Sequence, residues 1–315
     1  MEDRSVYQLA LRSIRGIGDV HTRTLIDHFG DAESVFRKDR KDLEKTGLRP
    51  DLIDAISHFR DFASLRPQVS RLQQRGIRIL FYHQPDFPRR LAKLSTAPAL
   101  LYYQGNADLN AGKVVAVVGT RKPSPYGVQM ARQITLELAR PEMLIVSGLA
   151  FGIDAIAHQA ALDSGIPTVG VLGTGLERIY PPEHTGLAQR MQKNGGLLSS
   201  FRCDAEGATF SFPLRNRLVA GLCDALIVVE SGIPGGSLSA AETAAELNKN
   251  CFAVPGRLTD EKSRGCLKLI HEGTARPLLS ATQLCGVMGW NYPAGGSAHQ
   301  PELPLPASGR QDPLS

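Results

Sequence analysis

The sequence predicts an α/β fold in which a doubly wound, mainly parallel sheet follows a small all-α domain. Two observations predict it. Apolar runs alternate with helical patterns from residue 113 onwards, whereas residues 5–66 show helical spacing only. With 315 residues, of which 42% are hydrophobic, the chain can bury one large core and a smaller satellite.

The all-α domain is predicted to span residues 1–66. Its apolar positions recur at helical spacing, as Val6, Leu9 and Ile14 do. Gly16-Ile17-Gly18 lies between two helical patterns, which is typical of a helix-hairpin-helix whose turn presents backbone N–H groups to a phosphate. The alternative is an αα-hairpin in which the glycines allow close packing. Both stay open, because few basic residues flank the turn.

The α/β domain is predicted to span residues 67–280, of which 67–112 form a lead-in segment. That segment carries two short β-like runs, IRILFY and ALLYYQG, which we expect to be edge strands. The apolar runs of the sheet follow as KVVAVVGT, MLIVSGL, PTVGVLGTGL, GLLSSF, ALIVVES and CFAVPG. Residues 281–315 are rich in Pro, Gly and Ser and are predicted to form a flexible tail, because they cannot bury enough apolar surface.

Composition excludes several classes of protein. A formal net charge of +5 permits an anionic partner without requiring one. The five cysteines form no C-x-x-C pair and no cysteine–histidine cluster with metal spacing, so we expect reduced thiols and no metal. No signal core or membrane-length apolar run occurs, which favours the cytoplasm. Neither G-x-G-x-x-G nor a P-loop motif is present, so no cofactor is predicted.

The predicted ligand site is the edge of the sheet where the parallel strands end. Glycine-rich turns follow nearly every strand, including Gly119-Thr120-Arg121, Ser147-Gly148 and the turn that contains Gly236-Ser237. Glycine lets a backbone approach a ligand, and the helix that follows points its N–H groups at an anion. Tight strand-to-helix turns also favour glycine, but so many around one edge indicate a ligand that carries phosphate.

The segment SFPLRNRLVAG supplies charge at the same edge. Together with Arg121, Arg215 and Arg217 form a predicted cation pocket for phosphates, and Phe212 is placed to stack on a base. In the alternative, Phe212 belongs to the core and the arginines pair with acidic residues, namely Asp204, Glu206 or Glu230. We expect the segment up to Arg217 to be a loop, with a helix beginning at LVAGL.

No catalytic group is predicted. His158 lies among small apolar residues of a helical pattern, where a histidine is more often structural than catalytic. Asp154 is expected to cap or close the turn after Gly152. No triad or carboxylate pair has a spacing that indicates catalysis.

Several long motifs, in order, resemble the DprA (Smf) family of DNA-processing proteins. They are VVAVVGTRKPSPYG, IVSGLAFGIDAIAHQAAL, GVLGTGLERIYPPEH, FPLRNRLVAGL, VVESGIPGGSL and CFAVPG, and the resemblance covers about residues 76–280. It implies an extended Rossmann-like domain behind a helix-hairpin-helix (SAM-like) domain. It also implies a homodimer that binds single-stranded DNA without strong sequence preference and loads the recombinase RecA in natural transformation, with no catalysis of its own.

In that family the G-[ST]-R turn and the F-P-x-R-N-R segment line the DNA pocket. The resemblance therefore implies a DNA-binding set made of these segments and the neighbouring turns: Gly119, Thr120, Arg121, Ser147, Gly148, Phe212, Arg215, Asn216, Arg217, Gly236 and Ser237. Many relatives carry basic residues before their S-G-S, whereas this chain has SGIPGGSL. Contacts from this turn are expected from backbone N–H groups or from Ser237.

Two alternatives come from other functional classes. SGIPGGSLSAAE faintly resembles the P-G-G-x-G-T-x-x-E motif of LOG-type nucleotide phosphoribohydrolases, with Glu242 at the position of the catalytic glutamate. The motif's threonine and the glycine directly before it are not matched. A protein that senses nucleotides without hydrolysing them is the other alternative.

Overall fold

The computed structural model of the chain describes residues 3–207 and 211–291. Its helices are α1 (Arg4–Ser13), α2 (Asp19–Phe29), α3 (Ala32–Arg37), α4 (Arg40–Glu44), α5 (Pro50–Ser57), α6 (Arg66–Gln74), α7 (Arg89–Ala92), α8 (Pro125–Glu137), α9 (Ile153–Asp163), α10 (Thr185–Lys193), α11 (Ser211–Leu222), α12 (Gly236–Glu246), α13 (Arg264–His271) and α14 (Ala281–Val287). Its strands are β1 (Arg78–Phe81), β2 (Leu100–Gly105), β3 (Lys113–Val118), β4 (Met143–Ser147), β5 (Thr168–Val171), β6 (Gly195–Ser199), β7 (Ala225–Val228), β8 (Asn250–Ala253) and β9 (Arg276–Pro277). Short 3-10 turns span Ala63–Leu65, Pro182–His184 and Glu261–Ser263.

The strands form one nine-stranded sheet in the order β1-β2-β6-β5-β4-β3-β7-β8-β9. Neighbours from β6 through to β9 are parallel, whereas β2 runs antiparallel to both β1 and β6. Because β3 lies between β4 and β7, the chain builds first one half of the sheet and then the other. The predicted doubly wound, mainly parallel sheet is confirmed, and its topological switch point lies where β3 and β7 end.

Both faces of the sheet are covered, as the continuous apolar runs predict. In β3, Val114 and Ala116 join a core that contains residues of α11 and α12. Val115 and Val117 point to the other face and join a core with residues of α8, α9 and α14. Alternate residues of a strand face opposite sides, so a strand that is buried on both sides must be apolar throughout. Burying each such valine stabilises the fold by about 1.5–3 kcal/mol.

The helical N-terminal part shares a core with one edge of the sheet. Side chains of α1 to α5, such as Leu25 and Ile53, lie in the same buried cluster as Leu100 and Leu197 of strands β2 and β6. The predicted boundary after residue 66 falls inside a continuous helical stretch, since α6 begins there. Its Val69 and Leu72 belong to that shared cluster. The helices therefore pack on the sheet over a common core.

Contacts at the Gly16-Ile17-Gly18 turn favour the close-packing interpretation. Gly16 has a φ of +93°, and a Cβ there would lie 2.8 Å from Leu52 Cδ2. The Asp19 carboxylate, in the first turn of α2, accepts a hydrogen bond from the Ala99 backbone N–H at 2.9 Å. Arg23 donates to the carbonyl oxygens of Ala92 and Leu94. The hairpin is thus held against the lead-in segment of the sheet.

The predicted tail needs correction at its start. Residues 281–287 form α14, and Ala281, Leu284 and Cys285 are buried against the β3 face that carries Val115. These three residues follow the i, i+3, i+4 spacing of a helix with one apolar side, which the prolines and glycines further on obscured. The remainder of the predicted tail, 292–315, lies outside the described residues. Among the helices that the structure describes, none has the length and apolarity to cross a bilayer.

Candidate nucleic-acid interface

A cleft of about 630 Å³ lies at the switch point, where β3 and β7 end. We call it the switch-point cleft. The turns after β3, β4 and β7 line it together with α11 and the segment after β8. Its polar, glycine and aromatic lining comprises Gly119, Thr120, Arg121, Gly148, Asp154, Phe212, Arg215, Asn216, Ser231, Gly232, Gly235, Gly236, Ser237, Glu261, Lys262 and Arg264. In doubly wound sheets, ligands bind in a crevice at this place.

The cleft gathers the predicted site residues with two exceptions. Ser147 is fully buried, and its Oγ donates to the Val117 carbonyl oxygen at 2.5 Å, so it joins two strands below the cleft. Arg217 is exposed and is not among the described residues that line the cleft. No ion pair or hydrogen bond of Arg217 occurs within residues 3–207 and 211–291.

The position of Arg217 follows from a correction of secondary structure. The stretch predicted as a loop is helical, because α11 begins at Ser211. Pro213 is compatible with this, since a helix's first turn does not use that N–H group. Phe212, Arg215 and Asn216 then have i, i+3, i+4 spacing and share the face toward the cleft, whereas Arg217 lies on another face.

Arg215 forms part of the buried floor of the cleft. Its side chain is only 6% exposed, and its guanidinium donates to the carbonyl oxygens of Gly148 and, at 3.2 Å, Val171. Burial lowers the pKa of Arg215, while the nearby Asp154 carboxylate acts in the opposite direction. A Cβ at Gly148 would overlap the guanidinium, which is why glycine is needed there. Arg215 therefore joins the turn after β4 to the end of β5, and its partners are not the acidic residues considered above.

Asp154 completes that floor. It is buried, and its carboxylate accepts hydrogen bonds from the backbone N–H groups of Gly148 at 3.1 Å and Ala150 at 3.3 Å. Burial raises the pKa of Asp154, an effect that the charge of Arg215 opposes. Asp154 thus closes the turn before α9 and not the turn after Gly152 that the sequence suggested.

Arg121 differs from Arg215 because it is exposed at the rim. Its guanidinium carbon lies 5.4 Å from the centroid of the Phe212 ring, within cation–π range. The Tyr180 ring, which is 52% exposed, lies 6.1 Å from the same ring, and Phe151 is 41% exposed at the adjoining pocket. We call Phe151, Tyr180 and Phe212 the aromatic rim. Tyr180 and Phe151 were missed in the sequence, although both follow the carboxyl ends of strands.

The other side of the cleft is held together by serines and backbone. Ser237 is 8% exposed, and its Oγ donates to Ser231 Oγ at 2.8 Å, so the hydroxyl predicted to meet DNA joins the first turn of α12 to the turn after β7. Asn216 donates to the Gly236 carbonyl oxygen and to Ser239 Oγ, each at 3.2 Å. Lys262 and Arg264 lie beside them in the lining. We call these two residues the basic wall; they were missed because they lie well beyond the end of β8.

The buried acidic residue that follows β7 has a structural role. Glu230 is 2% exposed and accepts hydrogen bonds from both the backbone N–H, at 2.9 Å, and the hydroxyl of Ser124, the N-cap of α8. A Cβ at Gly127 would overlap its carboxylate. Within the described ranges, no group of three His, Cys, Asp or Glu side chains could hold a metal ion.

His158 matches the structural role that the sequence indicates. It is fully buried, its Nδ1 lies 2.6 Å from Thr168 Oγ1, and burial lowers its pKa to about 3. Glu242, the carboxylate of the phosphoribohydrolase alternative, is exposed on α12 and is not part of the described lining of the cleft. Leu238, at the position of the motif's third glycine, is buried. The geometry therefore does not support that alternative.

The fold and the site define a class: an extended Rossmann-like protein whose switch-point cleft has basic and aromatic edges. The chain belongs to the DNA recombination-mediator protein A family, whose sequence model matches residues 78–289. It is 35% identical over 288 residues to Protein Smf of Synechocystis sp., covering 90% of this chain and 72% of that protein. It is also 35% identical over 239 residues to the DNA processing protein DprA of Bacillus subtilis, covering 74% of this chain and 80% of that protein.

Two solved structures support the same assignment. The X-ray structure of DNA processing protein A from Streptococcus pneumoniae matches with a TM-score of 0.74 at 30% identity, covering 91% of this chain and 99% of that one. The structure of DNA processing protein A from Helicobacter pylori, described for its single-stranded DNA binding mode, matches with a TM-score of 0.61 at 31% identity, covering 67% of this chain and 95% of that one. The predicted family and fold class are confirmed, and the chain is a member of a DNA-processing family.

Proposed function

We propose that this chain binds single-stranded DNA without strong sequence preference in the switch-point cleft. One observation carries the proposal: an exposed arginine, Arg121, stands over the ring of the half-buried Phe212 in the lining of the cleft. No carboxylate pairs with Arg121 within residues 3–207 and 211–291. The single-stranded DNA binding mode of the Helicobacter pylori relative supports the same ligand.

The chemistry of the cleft suits a strand whose bases are unpaired. Arg121 can pair with a phosphate, and the N-terminus of α12 begins at Gly236 with no side-chain cap to occupy its N–H groups. Bases can stack on the aromatic rim, in particular on Phe212 and Tyr180, and every base has a π-face that such a ring accepts. Contacts to backbone and π-faces carry little sequence information, so the binding is expected to tolerate any sequence.

We infer that the protein is a mediator and not an enzyme. The buried carboxylates of Asp154, in the cleft lining, and of Glu230, after β7, are engaged by backbone N–H groups and by Ser124, which leaves them poorly placed to activate water. Incubation with AMP tests the enzymatic alternative. We expect no free adenine, and its release would revive the phosphoribohydrolase interpretation.

The proposal extends to the partners that the family resemblance implies: a second copy of this chain and RecA, acting in the cytoplasm during natural transformation. Its support is family membership. If it is correct, the purified chain shortens the lag of RecA filament assembly on single-stranded DNA that is already coated by a single-strand-binding protein. An unchanged lag in the presence of normal DNA binding would refute RecA loading alone.

The DNA proposal is tested by fluorescence anisotropy of a short labelled oligo-dT across a salt series. Arg121→Ala should weaken binding and reduce the slope of log affinity against log salt by about 0.7, the value for one phosphate contact on a single strand. Arg132→Ala is the matched control, since Arg132 is exposed on α8 outside the cleft lining. Lack of binding by the wild type, or equal behaviour of the two variants, would contradict the proposal.

A further inference from the structure

The turn after β7 carries no basic side chain, but basic side chains from another segment line the cleft beside it. The turn carries the sequence SGIPGGSL, and Lys262 and Arg264 of the segment after β8 line the same cleft. Both side chains are exposed, and neither has an ion pair within residues 3–207 and 211–291. Unpaired cations at the edge of a cleft leave their charge available to an anionic ligand.

We propose that the basic wall, Lys262 and Arg264, contacts the phosphodiester backbone of the same DNA strand that Arg121 contacts. This rests on the proposed function. Arg121 lies in the turn after β3, whereas the backbone of the wall is hydrogen-bonded to Ser231 in the turn after the neighbouring strand β7. The two groups thus stand on different segments around one cleft. The two groups can therefore hold different phosphates of one strand.

The segment that carries the wall is fixed by its backbone. The Ser231 N–H donates to the Lys262 carbonyl oxygen at 2.8 Å, and the Gly265 N–H donates to the Ser231 carbonyl oxygen at 2.8 Å. Ser263, between the two basic residues, is 3% exposed, and a Cβ at Gly256 would overlap its hydroxyl. The backbone is thus joined to the turn after β7, while the two flanking side chains extend outward. Because this backbone is already fixed, the two charges can meet a ligand without the entropic cost of ordering a flexible loop.

The same segment contains a residue of opposite sign. Glu261 also lines the cleft and is exposed. If phosphates pass over this segment, the Glu261 carboxylate repels them, so its removal should strengthen binding. A segment that DNA does not contact would show only the weak effect of a distant surface charge, which salt screens.

The experiment is oligo-dT anisotropy across a salt series with the full chain. Lys262→Gln/Arg264→Gln should weaken binding roughly tenfold at low salt and reduce the log–log salt slope by about 1.4, because two contacts are lost at about 0.7 each. Glu261→Gln should strengthen binding severalfold. The matched control is Arg257→Gln/Arg276→Gln, which removes two exposed cations outside the described lining. Thermal unfolding should show the same Tm for all four proteins.

The outcomes separate the two proposals. If the wall variant behaves like the control while Arg121→Ala still loses affinity and slope, the wall is refuted and the DNA proposal stands. If Glu261→Gln has no effect at low salt, the path of the strand over this segment is refuted likewise. If the wild type does not bind oligo-dT, both proposals fail together.

Discussion

The floor and the rim of the switch-point cleft use the same side chain in opposite ways. Arg215, in the floor, is 6% exposed, and its guanidinium donates hydrogen bonds to backbone carbonyl oxygens. Arg121, at the rim, is exposed and contacts an aromatic ring instead of a carboxylate. Because Arg215 is buried, its guanidinium holds backbone segments together. Because Arg121 is exposed, its guanidinium remains available to a ligand. Residue type alone therefore did not determine which arginine is available to a ligand.

The largest effect should come from breaking the floor. Arg215→Ala removes a buried cation that donates to two carbonyl oxygens and whose charge offsets that of the nearby Asp154 carboxylate, so it should lower the free energy of unfolding by about 3–5 kcal/mol in urea denaturation. Arg217→Ala, two residues along the same helix and exposed, should change it by no more than about 0.5 kcal/mol. Equal free energies of unfolding for the two variants would show that the buried Arg215 does not stabilise the floor.

A smaller effect is expected at Phe212, where it separates the contribution of base stacking from that of the Arg121 charge. Phe212→Leu keeps an apolar side chain but removes the stacking ring, which should cost about 1–3 kcal/mol of binding free energy per base. Because no charge is lost, the salt slope should stay that of the wild type, unlike the slope of Arg121→Ala. Anisotropy on oligo-dT measures both quantities. A reduced slope for Phe212→Leu would mean that the ring acts by holding Arg121 in position.

The smallest effect is expected outside the cleft, at the Gly16-Ile17-Gly18 turn. Its helix, α2, begins with Asp19, whose negative charge disfavours an anion, and the turn is packed against Leu52. Arg15 is the exposed cation nearest to this turn in the chain. Arg15→Ala should therefore leave both affinity and salt slope unchanged in the same assay. A lower slope would restore the helix-hairpin-helix as a DNA contact.

Much of the fold could be predicted because it depends on periodicity. Strands buried on both faces need continuous apolar runs, and those runs located β3 to β8. The prediction that the tail begins at residue 281 was wrong, because the apolar side of α14 extends over only seven residues. The stretch from Phe212 to Arg217 was also wrong, because its proline and arginines are typical of a loop although a helix's first turn accepts them.

The sequence by itself determined the sheet, the edge of the sheet that carries the cleft, and the family, since periodicity and ordered motifs are properties of the chain. Only the tertiary structure decided which polar groups remain available there. It buried Arg215 and Ser147, turned Arg217 away and brought Lys262 and Arg264 beside a turn that lies some thirty positions earlier in the chain. The physical reason is that exposure and hydrogen-bond partners depend on contacts between segments far apart in sequence. Those contacts decide whether a charged side chain is buried and paired within the fold or stays exposed to a ligand.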